Sequence, residues 1–149
     1  MSWKTLEANE PQLAAFGEKR LAGNVSYLAT IRRDGGPRVH PVTPIIGGGS
    51  LFVFMEPTSP KGHDLRRDGR YALHCSMNDS SGTSGEFIVT GRATFIEDPE
   101  RRQLAVQVSS YKPQDRYILF ELSVETVTAT TYPDEGPSVR QKWQATATS

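Results

Sequence analysis

The sequence predicts a mainly β fold, an antiparallel barrel closed or partly closed on itself. Three observations lead there. Six segments rich in β-branched and aromatic residues recur along the 149 residues, most of them are joined by short turns, and only brief helical stretches fall between them, which disfavours a doubly wound parallel sheet. The length suits one domain, residues 1–149, and is short for two.

The elements follow in order. Residues 1–24 read as an N-terminal helical region, with Pro11 at an early helical position, Leu13, Ala14, Phe16 and Leu21 at near-helical spacing, and Gly23-Asn24 closing it. From residue 25 the period changes. Residues 25–33 form a first strand, Asp34-Gly35-Gly36 a reverse turn and residues 38–46 a second strand, so the pair is a hairpin. Pro41 and Pro44 cannot donate ladder hydrogen bonds, so this second strand should be an edge, be bulged, or face something other than a strand. Gly47, Gly48 and Gly49 turn the chain into a third strand at residues 51–55; no helix follows them, so they are not a nucleotide-binding loop. After a short helix come strands at residues 71–77 and 86–96, separated by a polar loop. Asp98-Pro99 starts a helix to about Val108, and residues 116–131 form the clearest strand, with Ile118, Phe120, Leu122 and Val124 on one face. Residues 144–149 read as a mobile tail.

Lys plus Arg equals Asp plus Glu at 17 each, so no net field draws the chain to nucleic acid or to an anionic membrane. Arg66-Arg67 and Arg101-Arg102 each have acidic neighbours and read as solvated helix faces. The single Cys75 excludes an intrachain disulfide, and no segment has the layout of a signal peptide or of a bilayer span, so the expectation is a cytoplasmic protein. His40, His63 and His74 with Cys75 lack the paired spacing of a zinc site, and no metal is expected.

The chemistry-bearing segment is Thr58-Ser59-Pro60-Lys61-Gly62-His63-Asp64-Leu65, directly after the third strand. Ser59 suits a helix N-cap and Pro60 the first helical position, and the first-turn amides of such a helix have no internal partner. A phosphate there would meet backbone N–H groups, the positive end of the helix dipole, the hydroxyls of Thr58 and Ser59, and the Lys61 ammonium. Taken locally, the same residues also describe a plain surface helix with a solvated lysine; the segments around them decide between the two.

Those segments resemble the pyridoxamine 5′-phosphate oxidase-like family of flavin-binding split β-barrels. The resemblance rests on Leu28-Ala29-Thr30-Ile31-Arg32, on Gly36-Pro37-Arg38-Val39-His40-Pro41-Val42-Thr43-Pro44, on Ser59 to Leu65 as a Ser-x-Lys-Gly-x-x-Leu motif, and on Asp68-Gly69-Arg70-Tyr71-Ala72-Leu73, all in the family's order. It implies a six-stranded antiparallel split β-barrel of Greek-key type with short flanking helices, working as a homodimer with its sites at the interface. It implies FMN as cofactor. Ser59, Lys61, Gly62, Thr58 and Arg38 would serve the phosphate, Val39, His40, Pro41, Phe54 and Met55 would line the ring, and Glu86 and Trp143 would be further contacts, Trp143 from the partner subunit.

The departures bear on the reaction. Thr43 stands where the true oxidases have Lys and Pro60 where they have Arg, and no C-terminal arginine clamp for a substrate phosphate is evident. The resemblance therefore implies a flavin-dependent oxidoreductase acting on some other small molecule. Its catalytic residues are not evident, because the ring itself carries the redox chemistry. Leu65-Arg66-Arg67-Asp68 also resembles the deazaflavin-dependent branch. FMN is expected over a deazaflavin because the cup offers only Lys61 and Arg38, and Arg66 and Arg67 point about 100° apart on a helix, so at most one can join them. A non-enzymatic carrier, sensor or stress protein binding flavin or haem is the third possibility on such a barrel.

Overall fold

The computed structural model describes residues 1–146. The chain opens with α1 (Trp3–Asn9) and α2 (Pro11–Leu21), followed by β1 (Ser26–Ile31), β2 (Pro37–Val42), β3 (Ile45–Gly47) and β4 (Ser50–Met55). Then come α3 (Pro60–Arg67), β5 (Arg70–Cys75), β6 (Glu86–Ile96), α4 (Pro99–Val108), β7 (Ile118–Leu122), β8 (Thr126–Thr131) and β9 (Val139–Gln144). All pairings are antiparallel, in the order β2-β1-β5-β6-β7-β4-β3, with β8 joining β6 and β9 joining β8. The result is a curled antiparallel sheet with four short helices, the split-barrel fold. No helix among the described residues is long and apolar enough to cross a membrane.

The described strands number nine rather than six. The expected second strand breaks at Pro44, which cannot donate to a ladder, and yields β2 and β3. The expected long strand at residues 116–131 breaks at Ser123 into β7 and β8. The third addition, β9, has the pattern Val-Arg-Gln-Lys-Trp-Gln, with only Val139 and Trp143 apolar on one face, a weak alternation; Trp143 packs against the main cluster and the strand takes the open edge of β8. Gln144 thus ends a strand instead of starting a tail, and residues 147–149 of that expected tail lie outside the described residues. The helical region expected at residues 1–24 forms two helices, α1 and α2, parted before Pro11; in α1 Trp3 and Leu6 point inward, and both are fully buried.

β6 makes the split. Its first half pairs with β5 on one side and β8 on the other, and its second half pairs with β7. The change falls around Gly91, where a Cβ would lie 2.1 Å from the Ser123 carbonyl oxygen, so only glycine lets the β7–β8 link pass this close. One apolar cluster, including Leu28, Leu73, Phe87, Val89 and Phe120, fills the curl, and a smaller one of Ile45, Phe52, Phe54, Ala105 and Leu119 lies under α4.

β2 is an edge strand, the first of the three arrangements its prolines allow. The Arg32 amide donates to the Gly36 carbonyl at 2.8 Å, which sets the alternation of the hairpin. Pro37 and Pro41 then fall where backbone groups point away from β1, so neither removes a ladder bond.

Candidate functional site

α3 begins at Pro60 with Ser59 as N-cap residue, in extended conformation. The Ser59 hydroxyl makes no cap hydrogen bond; it accepts one from Lys61 Nζ at 2.9 Å. The amides of Gly62 and His63 are satisfied by the Ser59 carbonyl, and the Lys61 amide has no acceptor among the described residues. Lys61 is half-buried, and burial pushes its ammonium below the ordinary lysine value. An ammonium, a hydroxyl and a free amide therefore share the mouth of one short helix. Gly62 lets that helix sit down on the barrel: a Cβ there would be 3.2 Å from Met55 Sδ and 3.3 Å from Ile118 Cδ1.

Three residues on, and so on the same helix face as Lys61, Asp64 is buried with only 3% of its side chain exposed. Its Oδ2 accepts from Arg38 Nε at 2.7 Å and from Thr30 Oγ1 at 2.8 Å, and Arg67 Nη2 approaches Oδ1 at 3.4 Å. Burial alone would raise the Asp64 carboxyl, but the hydrogen bonds from Arg38 and Thr30 outweigh it and hold the group below its ordinary value. This carboxylate fastens β1 and β2 to α3. It also turns Arg38 toward the helix, with the rest of its guanidinium without an acceptor among the described residues.

The sequence-predicted residues divide into three groups. Ser59, Lys61, Gly62 and Met55 come together at the start of α3, with Thr58 exposed beside them and Arg38 joined through Asp64. On β2, Arg38 and His40 point to the side of Thr30 and Leu28, whereas Val39 and Pro41 point to the outward face, where Val39 is 62% exposed. The third group is not brought to the cup within one chain. The Phe54 ring is buried in the small cluster under α4, with the Arg102 guanidinium 5.1 Å from its centre. Glu86 starts β6 opposite Thr130 of β8, with β5 between its strand and β1. Trp143 sits opposite Val127 on β9, with β5, β6 and β8 between its strand and β1.

The two neighbouring arginines part as helical spacing requires. Arg66 stacks over Phe95 with 4.1 Å to the ring centre, while Arg67 turns to the Ile31 carbonyl and Asp64. Arg101 and Arg102, expected as a solvated face, instead bind inward: Arg101 to Ser50 and Glu121, and Arg102 to the Tyr117 carbonyl at 2.6 Å. Sequence reasoning did not find Asp64, Thr30 or Arg67 as partners of the site. The available signal was the three-residue spacing of Lys61 and Asp64.

The family model described as pyridoxamine 5′-phosphate oxidase matches residues 11–131, and the chain belongs to that family. No curated protein matches it. Solved structures of the same fold include a haem-binding protein from Mycobacterium smegmatis, with 20% identity over 87% of this chain and 57% of that one and a TM-score of 0.66. This chain thus spans little more than half of the mycobacterial protein. A NimC/NimA family protein from Clostridium acetobutylicum is 18% identical, with 94% and 96% covered and a TM-score of 0.65. HutZ of Vibrio cholerae, described as a haem storage protein, is 15% identical, with 78% and 89% covered and a TM-score of 0.56. At these identities the likeness shows the fold.

Proposed function

We propose that the chain binds FMN through the start of α3 and works as a flavin-dependent oxidoreductase on a small molecule other than pyridoxamine phosphate. The observation that carries this reading is Lys61: a half-buried ammonium held at 2.9 Å by the Ser59 hydroxyl, beside its own unbonded amide. A lysine gains nothing by being desolvated against a hydroxyl unless an anion completes the arrangement. The donors present suit one terminal phosphate. FMN, when bound, would supply hydride or electron transfer at its ring. Lys61, Ser59 and the amide would bind its phosphate, and Asp64 would hold Arg38 in range of the same group.

A deazaflavin, with its longer anionic tail, needs further cations beyond the cup. Arg66 lies on Phe95 and Arg67 is engaged with Ile31 and Asp64, which favours FMN. The active form in this proposal is a homodimer with sites at the interface. Support comes from Val25 and Tyr27, 49% and 46% exposed on β1 and its approach, and from the remoteness of Trp143, which could reach a cup only on a partner. Sedimentation at micromolar concentration with FMN should show a dimer; a monomer would remove this part.

The absorption spectrum and mass of the small molecule that copurifies test the cofactor. Flavin bands and the mass of FMN are expected. A haem Soret band in their place would overturn the reading and favour a haem carrier.

A further inference from the structure

His74 stands in the middle of the outward face of the sheet. Its row runs across the strands from Pro41 on β2 and Tyr27 on β1, through His74 on β5, to Ile88 on β6 and Thr128 on β8. An imidazole is thus set between a phenol ring and an aliphatic side chain, on a face continued by Val39, Ala29 and Ala72. Pro37 and Pro41 take N–H groups from the free edge of β2, so the sheet is not extended there by strand pairing, and a second copy on this side lies face to face. His74 is half-buried in one chain. Its Nδ1–H donates to the Cys75 carbonyl at 2.5 Å, which leaves Nε2 as the nitrogen that takes up a second proton.

Few charged groups surround it. On its own strand the same-face neighbours are Ala72 and Ser76, with Arg70 beyond Ala72. Tyr27 faces it from β1 and Ile88 from β6, and Glu86 lies diagonally across, its carboxylate engaged by the Tyr132 hydroxyl. From α2 the Arg20 guanidinium reaches the Ser76 carbonyl at 2.5 Å, and Lys142 closes the row on β9, three strands away. His74 takes part in no ion pair among the described residues.

We propose that His74 makes the dimer pH-dependent. Neutral, it is covered between the two faces; protonated, it puts a cation from each subunit into an apolar interface, so acid separates the subunits. The proposal rests on the dimer reading above and not on the identity of the cofactor. Histidine is the side chain whose charge ordinarily changes between about pH 5 and 8, and a buried charge without a partner is strongly disfavoured. Association in acid then releases one proton from each imidazolium, two per dimer by two-fold symmetry. The dissociation constant therefore rises toward acid by up to about a hundredfold per pH unit. With the site at the interface, loss of the dimer is also loss of the site.

The test is sedimentation of the purified chain over a dilution series between about pH 5.5 and 8, with circular dichroism at each pH to follow the fold. The logarithm of the dissociation constant should climb toward acid with a slope approaching about two. His74→Gln and the ring-preserving His74→Phe should each flatten that slope, and His63→Gln, on an exposed position of α3, should leave it as it is. A dimer of equal strength across the range, or a slope retained in both His74 variants, would overturn the proposal and leave the dimer reading standing. So would a dimer strengthened by acid, which would mean that Glu86 pairs with the imidazolium inside the interface. Monomer at every pH would overturn the dimer reading and the proposal together.

Discussion

α3 and α4 are written in nearly the same way and end in opposite states. Each has a polar N-cap residue, a proline at the first helical position and a pair of adjacent arginines, Ser59-Pro60 with Arg66-Arg67 and Asp98-Pro99 with Arg101-Arg102. In α4 the Asp98 side chain accepts from the Glu100 amide at 3.1 Å, so the helix start closes on itself. Its arginines then clamp the helix down, over Phe52 and Phe54. In α3 the Ser59 hydroxyl takes the Lys61 ammonium instead, the Lys61 amide stays open, and the carboxylate on the helix, Asp64, is spent on β1 and β2. A helix start that satisfies itself is a structural joint; one that leaves its donors open beside a desolvated lysine is suited to an anion.

The comparison can be broken most forcefully at Asp64. Asp64→Ala leaves Arg38 half-buried without its carboxylate and should destabilise the chain by about 3 kcal/mol in denaturant unfolding, the lower range for breaking a buried ion pair. Because the Asp64 carboxyl lies below its ordinary value in the fold, its stabilisation is present above that ordinary value and is lost as pH falls through the lowered one. Asp64→Asn should flatten that acid limb, and an unchanged limb would show that other carboxylates set it.

Lys61→Ala should weaken FMN binding by about 2 kcal/mol in calorimetry, the scale of a hydrogen bond to a charged group, with unfolding little affected. Its pH dependence has a definite sign. The ammonium, lowered by burial, loses its proton earlier than an exposed lysine as pH rises, so FMN affinity should fall below the usual lysine range, and Lys61→Arg should remove that step. Asp98→Ala should cost about 1 kcal/mol of stability through the lost cap and leave FMN affinity unchanged. A loss of FMN binding in that variant would erase the distinction between the two helices. Ser59→Ala should have the smallest effect, under about 1 kcal/mol on FMN affinity and almost none on stability, since the hydroxyl caps nothing.

The start of α3 was legible because its signals are local. A serine, a proline and a lysine at fixed offsets after a strand prescribe a helix start whatever surrounds it, and α4, with Asp98-Pro99, could be placed at Pro99–Val108 on the same grounds. β6 was legible for another reason. Its apolar alternation runs without interruption, and its limits at Glu86 and Ile96 are set by a polar loop and by Asp98-Pro99. β9 carries a much weaker signal, since only Val139 and Trp143 are apolar on one face and the strand gains its ladder partner from the open edge of β8. The fate of the arginine pairs was equally hidden, because whether a guanidinium is solvated or lies on Phe52, Phe54 or Phe95 depends on strands distant in sequence.

By itself the sequence determined the β-rich class, the three proline-started helices, the exclusion of β2 from an ordinary central-strand position and the cluster of donors at Thr58 to Gly62, because each follows from residue types within a few positions of one another. Only the tertiary structure decided which of those donors meet. It set Asp64 between Thr30 and Arg38, placed Arg70 opposite Arg92, and left Glu86 and Trp143 away from the cup of their own chain. The reason is register. Which side chains face one another across a curled sheet depends on how its strands slide and pair, and a shift of one residue would send every one of them to the other face.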